Sequence, residues 1–396
     1  MAFCSRYFVH YFLVFVTLAC SVVPAESSTK QHRTQLEKLN NTPAHVYFPA
    51  AASIDVFVPS PDHSYAHHPQ IAWYADHLYV MWSYGITHED ARGQRIRIAR
   101  SAADLQHWET VLDAPTTAHA DENTVQTAGG FFVSDHELLG YFAEYKVLGE
   151  GPDANSPKAE TQTFAVRSGD GASWSAPVDL GLHIVPTQGP IHLSKHRLAL
   201  PANFLIAFTD SSDGLTGWHT RAIDPSAQNS EDNSDLLGAA ARNGGWSADL
   251  AEITLIEHPR TQRLVCLMRA LKKPTLYASE SDIGGERWKM PIATHFSNAD
   301  SKSYFGVLPD GREFVISNPD QRQGRDLLVF ALSKDGLNFS DWYVVAKDHV
   351  PVQYPGRNKG GSYAYPQAIV KDQRVYMVAS VGKERIRVWS FELPQR

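Results

Sequence analysis

Histidine, carboxylate and arginine side chains stand next to several short apolar segments of this 396-residue chain. His67 and His68 directly precede Pro69, Glu252 precedes an isoleucine, and Arg269 ends the run Cys-Leu-Met-Arg. Histidines and carboxylates transfer protons near neutral pH, and the planar guanidinium of arginine binds a carboxylate through two hydrogen bonds. Gathered in one pocket, these groups would form a site for acid–base chemistry on an anionic substrate. The structural alternative is a histidine pair bonded at a strand edge and a Glu252–Arg269 salt bridge between neighbouring strands.

The strands that would carry these residues follow a repeated pattern. Turn residues followed by a β-branched and aromatic run recur every 50 to 66 residues or so, beginning at His77, His136, Arg197, Arg263, Arg312 and Arg374. Alternating apolar residues bounded by Gly, Asp and Pro predict strands rather than helices. The spacing is that of one propeller blade, so the sequence predicts an all-β, six-bladed β-propeller of four-stranded antiparallel blades, with seven blades as the alternative.

A second repeat follows these strands, with the form Ser, one or two residues, Asp, often Gly, and then an aromatic residue. The copies are Ser101–Trp108, Ser168–Trp174, Ser211–Trp218, Ser281–Trp288 and Ser333–Phe339. The form is typical of a β-turn in which Asp accepts hydrogen bonds from turn amides and Gly takes a positive φ. Ordinary hairpin turns explain one copy but not five copies in phase with the strand repeat.

This second repeat resembles the Asp box of the sialidase-like β-propellers, and the resemblance covers residues 46–396. It implies a carbohydrate-active site in the central funnel, toward which the inner strands of the blades point. The segment Val46–Val58 is expected to supply the outer strand that closes the ring with the C-terminal blade. Asp boxes also occur in propellers that are not enzymes, so a non-catalytic glycan-binding propeller is a further hypothesis.

The resemblance to sialidases implies roles for four residues. Tyr365 falls where the family has its nucleophilic tyrosine, and Glu252 falls where it has the base-assisting glutamate. Arg269 and Arg325 resemble two of the arginines that bind the substrate carboxylate. A phenol is a poor nucleophile near neutral pH unless a carboxylate takes its proton, and sialidases use such a tyrosine in place of a carboxylate nucleophile. The alternative for Tyr365 is a packing role.

Two further positions bear on the acid and on the substrate. Glu89 and Asp90 lie ahead of the first Asp box, where the family has its acid/base carboxylate. Sialidases begin the first blade with an Arg-Ile-Pro motif, and His67 stands in place of its arginine. The resemblance therefore implies a sialidase-like glycoside hydrolase acting on an acidic sugar other than ordinary sialic acid.

A second resemblance is to propeller lyases that act on ulvan-like uronic acid polymers. His68 and His88 have a separation similar to that of two funnel histidines in those lyases. Tyr145, or Tyr141, together with Arg167 resembles their tyrosine and arginine. In a lyase the arginine would neutralise the uronate carboxylate, and histidine or tyrosine would remove the acidified C5 proton. A uronic-acid polysaccharide lyase is therefore the alternative function.

The N-terminal segment predicts export of the protein. Arg6 precedes the apolar run Tyr11–Val23, and small residues around Ala25 favour cleavage there, so residues 1–25 are expected to be a signal peptide. We therefore expect a secreted or periplasmic protein. Residues 26–45 are expected to form a flexible leader, and Pro225–Gly245 a long loop at the mouth of the funnel.

Composition limits the partners and cofactors. A net charge of −7, with both signs dispersed, argues against nucleic acid. The N-terminal apolar run is too short for a membrane span. Cys266 is the only cysteine after residue 25, so no internal disulfide is expected. The histidine spacing matches no zinc motif, so we expect no metal and no cofactor, and a glycan or polysaccharide as the substrate.

Overall fold

The computed structural model describes residues 35–102, 105–147, 159–203, 205–223 and 250–393. Within these residues the strands form six sheets, five with four strands and one with five. The sheets are the blades of a β-propeller, and the strands follow one another in order within each blade. The predicted six-bladed β-propeller is therefore confirmed. The predicted signal peptide and the predicted loop Pro225–Gly245 lie outside the described residues.

Each blade runs from an inner first strand to an outer fourth strand. Two short strands precede the first blade: β1 (His45–Tyr47) and β2 (Ala52–Phe57). The first three blades consist of β3 (Tyr65–Tyr74), β4 (His77–Gly85), β5 (Arg95–Ser101) and β6 (Trp108–Asp113); β7 (Thr124–Val133), β8 (Leu138–Lys146), β9 (Ala159–Ser168) and β10 (Val178–Leu182); β11 (Ile191–His192), β12 (Leu198–Pro201), β13 (Leu205–Thr209) and β14 (His219–Ala222). The other three consist of β15 (Leu250–Glu257), β16 (Arg263–Ala270), β17 (Thr275–Ile283) and β18 (Ile292–Ser297); β19 (Tyr304–Val307), β20 (Glu313–Ser317), β21 (Leu328–Ser333) and β22 (Asp341–Ala346); β23 (Tyr363–Lys371), β24 (Arg374–Val381) and β25 (Arg385–Glu392).

Helical structure in the described part of the chain is confined to short turns at residues 35–37 and Gln321–Gln323. Among those residues, no helix is both long and apolar enough to span a membrane.

The N-terminal strands close the ring. Strand β2 pairs antiparallel with β25 and becomes the outer strand of the sixth blade, as the sequence predicted for Val46–Val58. Strand β1 pairs parallel with β22 of the fifth blade. Residues 35–45 fell within the expected leader, yet Leu39 is buried among apolar residues of the fourth and fifth blades. Packing of the propeller therefore begins before Val46.

Apolar clusters between adjacent blades form a ring of cores. Met81 of β4 packs with Phe142 of the second blade, while Val80, on the other side of the same strand, packs with Val388 of the sixth. Both sides of a second strand are therefore buried. This explains why the second strands read as nearly continuous apolar runs and made the repeat visible in the sequence.

The Asp boxes form the turns between third and fourth strands. Asp170 accepts hydrogen bonds from the backbone N–H groups of Ala172 and Ser173, at 2.8 and 2.7 Å. Gly171 has φ 70°, and a Cβ at this position would lie 1.8 Å from the hydroxyl oxygen of Tyr79 in the first blade. The box therefore joins neighbouring blades at a position where only glycine fits.

Candidate active site

Strand order determines which side chains share one end of the propeller. The starts of first strands, the ends of second strands and the loops from second to third strands all lie at the same end, here called the funnel face. Asp boxes and the ends of third strands lie at the opposite end. Tyr365 and Glu252 start first strands, Arg269 ends a second strand, and Glu89 lies in a loop between a second and a third strand. All four therefore reach the funnel face.

Three first strands carry a β-bulge at their functional residue. The strand register shifts at His68, at Glu252 and at Tyr365, which have φ values of 55°, 56° and 55°. A bulge leaves an extra residue unpaired and re-aims its side chain. Positive φ is strained for residues other than glycine, and such strain clusters at functional sites. The three bulges turn these side chains toward the cavity that all three line.

Tyr365, Glu252 and Arg269 form one hydrogen-bonded group. The Tyr365 hydroxyl donates to Glu252 Oε1, and Arg269 donates from one guanidinium nitrogen to both Glu252 oxygens, at 3.1 and 3.3 Å. Burial, and then the negative charge of Glu252, raise the pKa of Tyr365 well above its usual value. The phenol therefore keeps its proton at neutral pH, and Glu252 is placed to accept it.

The two predicted carboxylate-binding arginines are already engaged within the protein. Arg269 Nε donates to Asp300 Oδ1 at 2.7 Å, and Arg325 donates to the Asp300 carbonyl oxygen at 2.6 Å. Burial opposes the charge of Arg269, but the carboxylates of Glu252 and Asp300 outweigh it and raise its pKa. Asp300 was absent from the sequence prediction. It accepts hydrogen bonds from both guanidinium groups, which were expected to bind the substrate carboxylate.

The two candidate acid/base carboxylates have different partners. Glu89 Oε2 accepts a hydrogen bond from Lys383 Nζ at 2.7 Å, which makes a buried ion pair. Asp90 Oδ1 accepts from the hydroxyl of Tyr145, which also lies 3.0 Å from the Thr127 hydroxyl. Tyr145 is therefore placed to orient Asp90 at the cavity wall.

His67 does not replace the charge of an arginine. It is fully buried, its ring centroid lies 4.1 Å from that of Tyr365, and its Nδ1 lies 2.7 Å from Ser380 Oγ. Burial, and then the positive charge of Lys383, hold the pKa of His67 well below its usual value. The imidazole is therefore neutral at neutral pH, and the position of the expected arginine carries no charge.

One cluster of side chains has donor atoms suited to a metal ion. Ligand atoms of His67, His68 and Glu89 all lie within 4.8 Å of one another. Two imidazoles and a carboxylate are a set that zinc accepts. The ammonium of Lys383 already neutralises Glu89, and its positive charge opposes a divalent cation beside it.

The cavity at the funnel face is small and polar. It encloses about 180 Å³, and its wall includes His68, Glu89, Asp90, Glu252, Lys302 and Tyr365. Pockets for drug-sized ligands usually enclose about 300–1,000 Å³. The volume therefore suits a single sugar unit better than a longer segment of polymer.

A comparison with known families identifies the repeated fold. The family described as BNR repeat-like domain matches residues 76–377. The chain belongs to this family. The search against curated proteins returned no match.

Solved sialidases share the fold of this BNR repeat-like protein. Trypanosoma rangeli sialidase in complex with sialic acid superposes with a TM-score of 0.61 at 13% identity, over 88% of this chain and 60% of that one. The Hadza microbial sialidase Hz136 gives 0.64 at 16% identity, over 86% and 68%. The chain thus spans about three fifths of the T. rangeli enzyme, and identities this low establish a common fold rather than a common activity.

Two predicted residues of this BNR repeat-like chain lie away from the cavity. Arg167 lies at the end of a third strand, at the opposite end of the propeller, with its Nη1 3.7 Å from Glu137 Oε1. His88 is on the funnel face, but its Nδ1 accepts from the backbone N–H of Arg357 at 2.9 Å, and the ring lines a separate cleft. The set proposed for a lyase, His68, His88, Tyr145 and Arg167, is therefore not brought together.

Two lysines at the site were missed from the sequence. Lys302 lines the cavity, and Lys383 pairs with Glu89. Lys302 precedes β19, the first strand of the fifth blade, and in other blades the polar residues near the start of the first strand are the predicted site residues. That position was the one signal that could have found it. Lys383 follows β24 in a turn and offered none.

Proposed function

We propose that this protein is a glycoside hydrolase that releases an acidic sugar from the end of a glycan, with Tyr365 as the nucleophile. The observation that carries the proposal is the hydrogen bond from the Tyr365 hydroxyl to Glu252, with Arg269 beside both groups at a cavity of single-sugar size. A neutral phenol also avoids the repulsion that a carboxylate nucleophile would meet beside an anionic sugar.

The reaction would proceed in two displacements. In the first, the Tyr365 oxygen attacks the anomeric carbon, Glu252 accepts the phenolic proton, and Asp90 protonates the oxygen of the leaving group. In the second, Asp90 takes a proton from water, which attacks the anomeric carbon of the glycosyl-tyrosine. The bond to Tyr365 breaks, and the proton returns from Glu252 to the phenol.

Asp90 is the better candidate for the acid than Glu89. A general acid must hold a proton before the reaction begins. Glu89 forms an ion pair with Lys383 at 2.7 Å, and this pairing favours its ionised form. Glu89 would therefore serve to fix Lys383 and the two histidines beside the nucleophile.

The proposal includes export of the protein, on the basis of Arg6, the apolar run Tyr11–Val23 and the small residues before position 26. A cell-fractionation experiment with the full chain, with mass spectrometry of the N-terminus, would test it. A retained N-terminus in the cytoplasmic fraction would refute export.

Substitution of the nucleophile tests the reaction. The protein is incubated with methylumbelliferyl glycosides of N-acetylneuraminate and of glucuronate, and with a uronic acid polysaccharide. Tyr365→Phe is expected to lower kcat by about 10³-fold or more, since the attacking oxygen is lost. Tyr363→Phe is the matched control, because Tyr363 lies in the same strand but packs in the core between the fifth and sixth blades.

The outcomes separate the candidate reactions. Full turnover by Tyr365→Phe would refute the nucleophile. Release of an unsaturated uronate, detected by its ultraviolet absorbance, would refute hydrolysis and establish elimination. A fluorinated glycosyl fluoride should leave a sugar attached to the Tyr365 peptide, and its absence during inactivation would contradict the covalent step.

A further inference from the structure

The positively charged side chains near the cavity differ in whether they line its wall. Among the described residues that line it, Lys302 is the only lysine or arginine. Arg269 and Arg325 are not part of the wall, and their guanidinium groups contact Glu252 and Asp300. With His67 neutral, the charge available to an anionic ligand in the cavity therefore comes from Lys302.

Lys302 is buried without a carboxylate partner. The residue is only 5% exposed, and its Nζ donates to the carbonyl oxygen of Thr187. Within the described parts of the chain, no carboxylate lies within ion-pair distance of this ammonium. An ammonium has three donors, and one carbonyl oxygen satisfies one of them.

Nearby groups offset only part of the cost of burying the Lys302 charge. Burial lowers the pKa of Lys302 to about 8, against the attraction of Glu252. The face of the Tyr365 ring, with its centroid 5.5 Å from Nζ, also attracts the ammonium, but the ammonium of Lys383 lies 6.0 Å from the same centroid. Buried charges in proteins are normally paired, so an unpaired one on a cavity wall is best explained by a partner that arrives with the ligand.

We propose that Lys302 binds the carboxylate of the sugar in this cavity, and that acidic sugars are selected by this ammonium rather than by an arginine cluster. The inference rests on the proposed function for the presence of a sugar, but it concerns binding and not turnover. The carboxylate would lie beside the ring of Tyr365, close to the attacking oxygen. A lysine makes single contacts where an arginine makes a bidentate pair, so the carboxylate could adopt more than one orientation.

Calorimetric titration without turnover tests this inference. The probes are free N-acetylneuraminate and free glucuronate, each compared with its methyl ester, and the proteins are the wild type, Lys302→Met, Lys302→Gln and Arg325→Met. For the acid that wild type binds, we expect both Lys302 variants to lose about 10-fold to 100-fold in affinity, since a charged hydrogen bond is lost. Affinity for the corresponding ester should stay within about 3-fold, and Arg325→Met should retain the wild-type preference for the acid.

Three results would overturn the proposal. One is wild-type protein that binds neither acid more tightly than its ester. Another is an equal loss for acid and ester in the Lys302 variants, which would indicate a structural role. A third is loss of acid preference in Arg325→Met with retention in Lys302→Met. Circular dichroism of each variant verifies the fold, and agreement between the Met and Gln variants guards against a packing effect. Failure of the proposed hydrolysis would appear separately, as activity retained by Tyr365→Phe.

Discussion

Replacement of Lys302 by methionine should stabilise the folded protein at neutral pH. Burial lowers the pKa of Lys302 from 10.5 to about 8. One pKa unit corresponds to about 1.4 kcal/mol, so the folded state bears a penalty of about 3 kcal/mol for this charge. Loss of the hydrogen bond to Thr187 offsets about 1–2 kcal/mol of the gain. The free energy of unfolding of Lys302→Met should therefore rise by about 1–2 kcal/mol.

The difference in stability between Lys302→Met and the wild type should change with pH. Below pH 8 the lysine is protonated in both the folded and unfolded states, so the whole penalty is present. Between pH 8 and 10.5 the folded protein has lost a proton that the unfolded chain still holds, so the wild type gains stability relative to the variant. The advantage of Lys302→Met should thus be largest near neutral pH. Near pH 10.5 the charge penalty is gone and only the lost hydrogen bond remains, so the variant should be less stable than the wild type by about 1–2 kcal/mol.

Urea denaturation followed by tryptophan fluorescence, near neutral pH and at about pH 10, measures this difference. Lys359→Met is the matched control, because the side chain of Lys359 is also buried but its Nζ lies 3.3 Å from the carboxylate of Glu384. Removal of Lys359 leaves the buried Glu384 carboxylate with hydrogen bonds from the backbone N–H groups of Gln353 and Tyr354 but without this cation, and should destabilise the protein by about 1–3 kcal/mol. A Lys302→Met variant that is less stable at both pH values would refute the reasoning, since the charge would then be compensated within the protein.

Three further predictions concern pH and the blade turns. Burial raises the pKa of Glu313 from 4.5 to about 7, so the folded state holds a proton between these values that the unfolded chain has lost, and stability falls as pH rises. The free energy of unfolding of Glu313→Gln should exceed that of the wild type by about 2–3 kcal/mol at about pH 8, and this advantage should be lost near pH 4.5. If urea denaturation gives a difference that does not vary with pH, the prediction is contradicted. Gly171→Ala, with its Cβ 1.8 Å from the Tyr79 hydroxyl, should lower the free energy of unfolding by at least about 2 kcal/mol, whereas Gly181→Ala, with nothing within 4 Å, should cost about 1 kcal/mol. Equal losses in the two alanine variants would show that the contact is not limiting. Carboxylate binding through Lys302, measured by calorimetry, should weaken above about pH 8 as the ammonium loses its proton, and unchanged affinity at about pH 9.5 would point to an arginine instead.

The propeller could be predicted from the sequence because its signals are local. Second strands such as β4 are buried on both sides, so each one is a nearly continuous apolar run that recurs once per blade. The Asp box is also local, since Asp170 bonds to amides two and three residues later. Both repeats are visible within short windows of sequence. Together they predicted the blade type and favoured six blades over seven.

Part of the candidate site was also predicted, by resemblance and not by spacing. Tyr365, Glu252 and Arg269 do form one hydrogen-bonded group, although they come from the fourth and sixth blades. The direction of the His88 side chain could not be predicted in the same way, whereas the face that Arg167 reaches could have been. Arg167 lies at the end of a third strand, so its distance from the cavity follows from strand order alone.

What only the tertiary structure decided is the charge pattern of the cavity. Lys383 lies 294 residues from its partner Glu89, and Lys302 lies 115 residues from the carbonyl of Thr187. The position of Lys302 before a first strand indicated the funnel face, but nothing in the sequence near either lysine indicates which group it will face. The sequence by itself determined the strands and the turns and favoured six blades, because burial of whole strands leaves a periodic pattern in the residues. The pairing of single charges from different blades leaves no such pattern, because it depends on the closure of the ring.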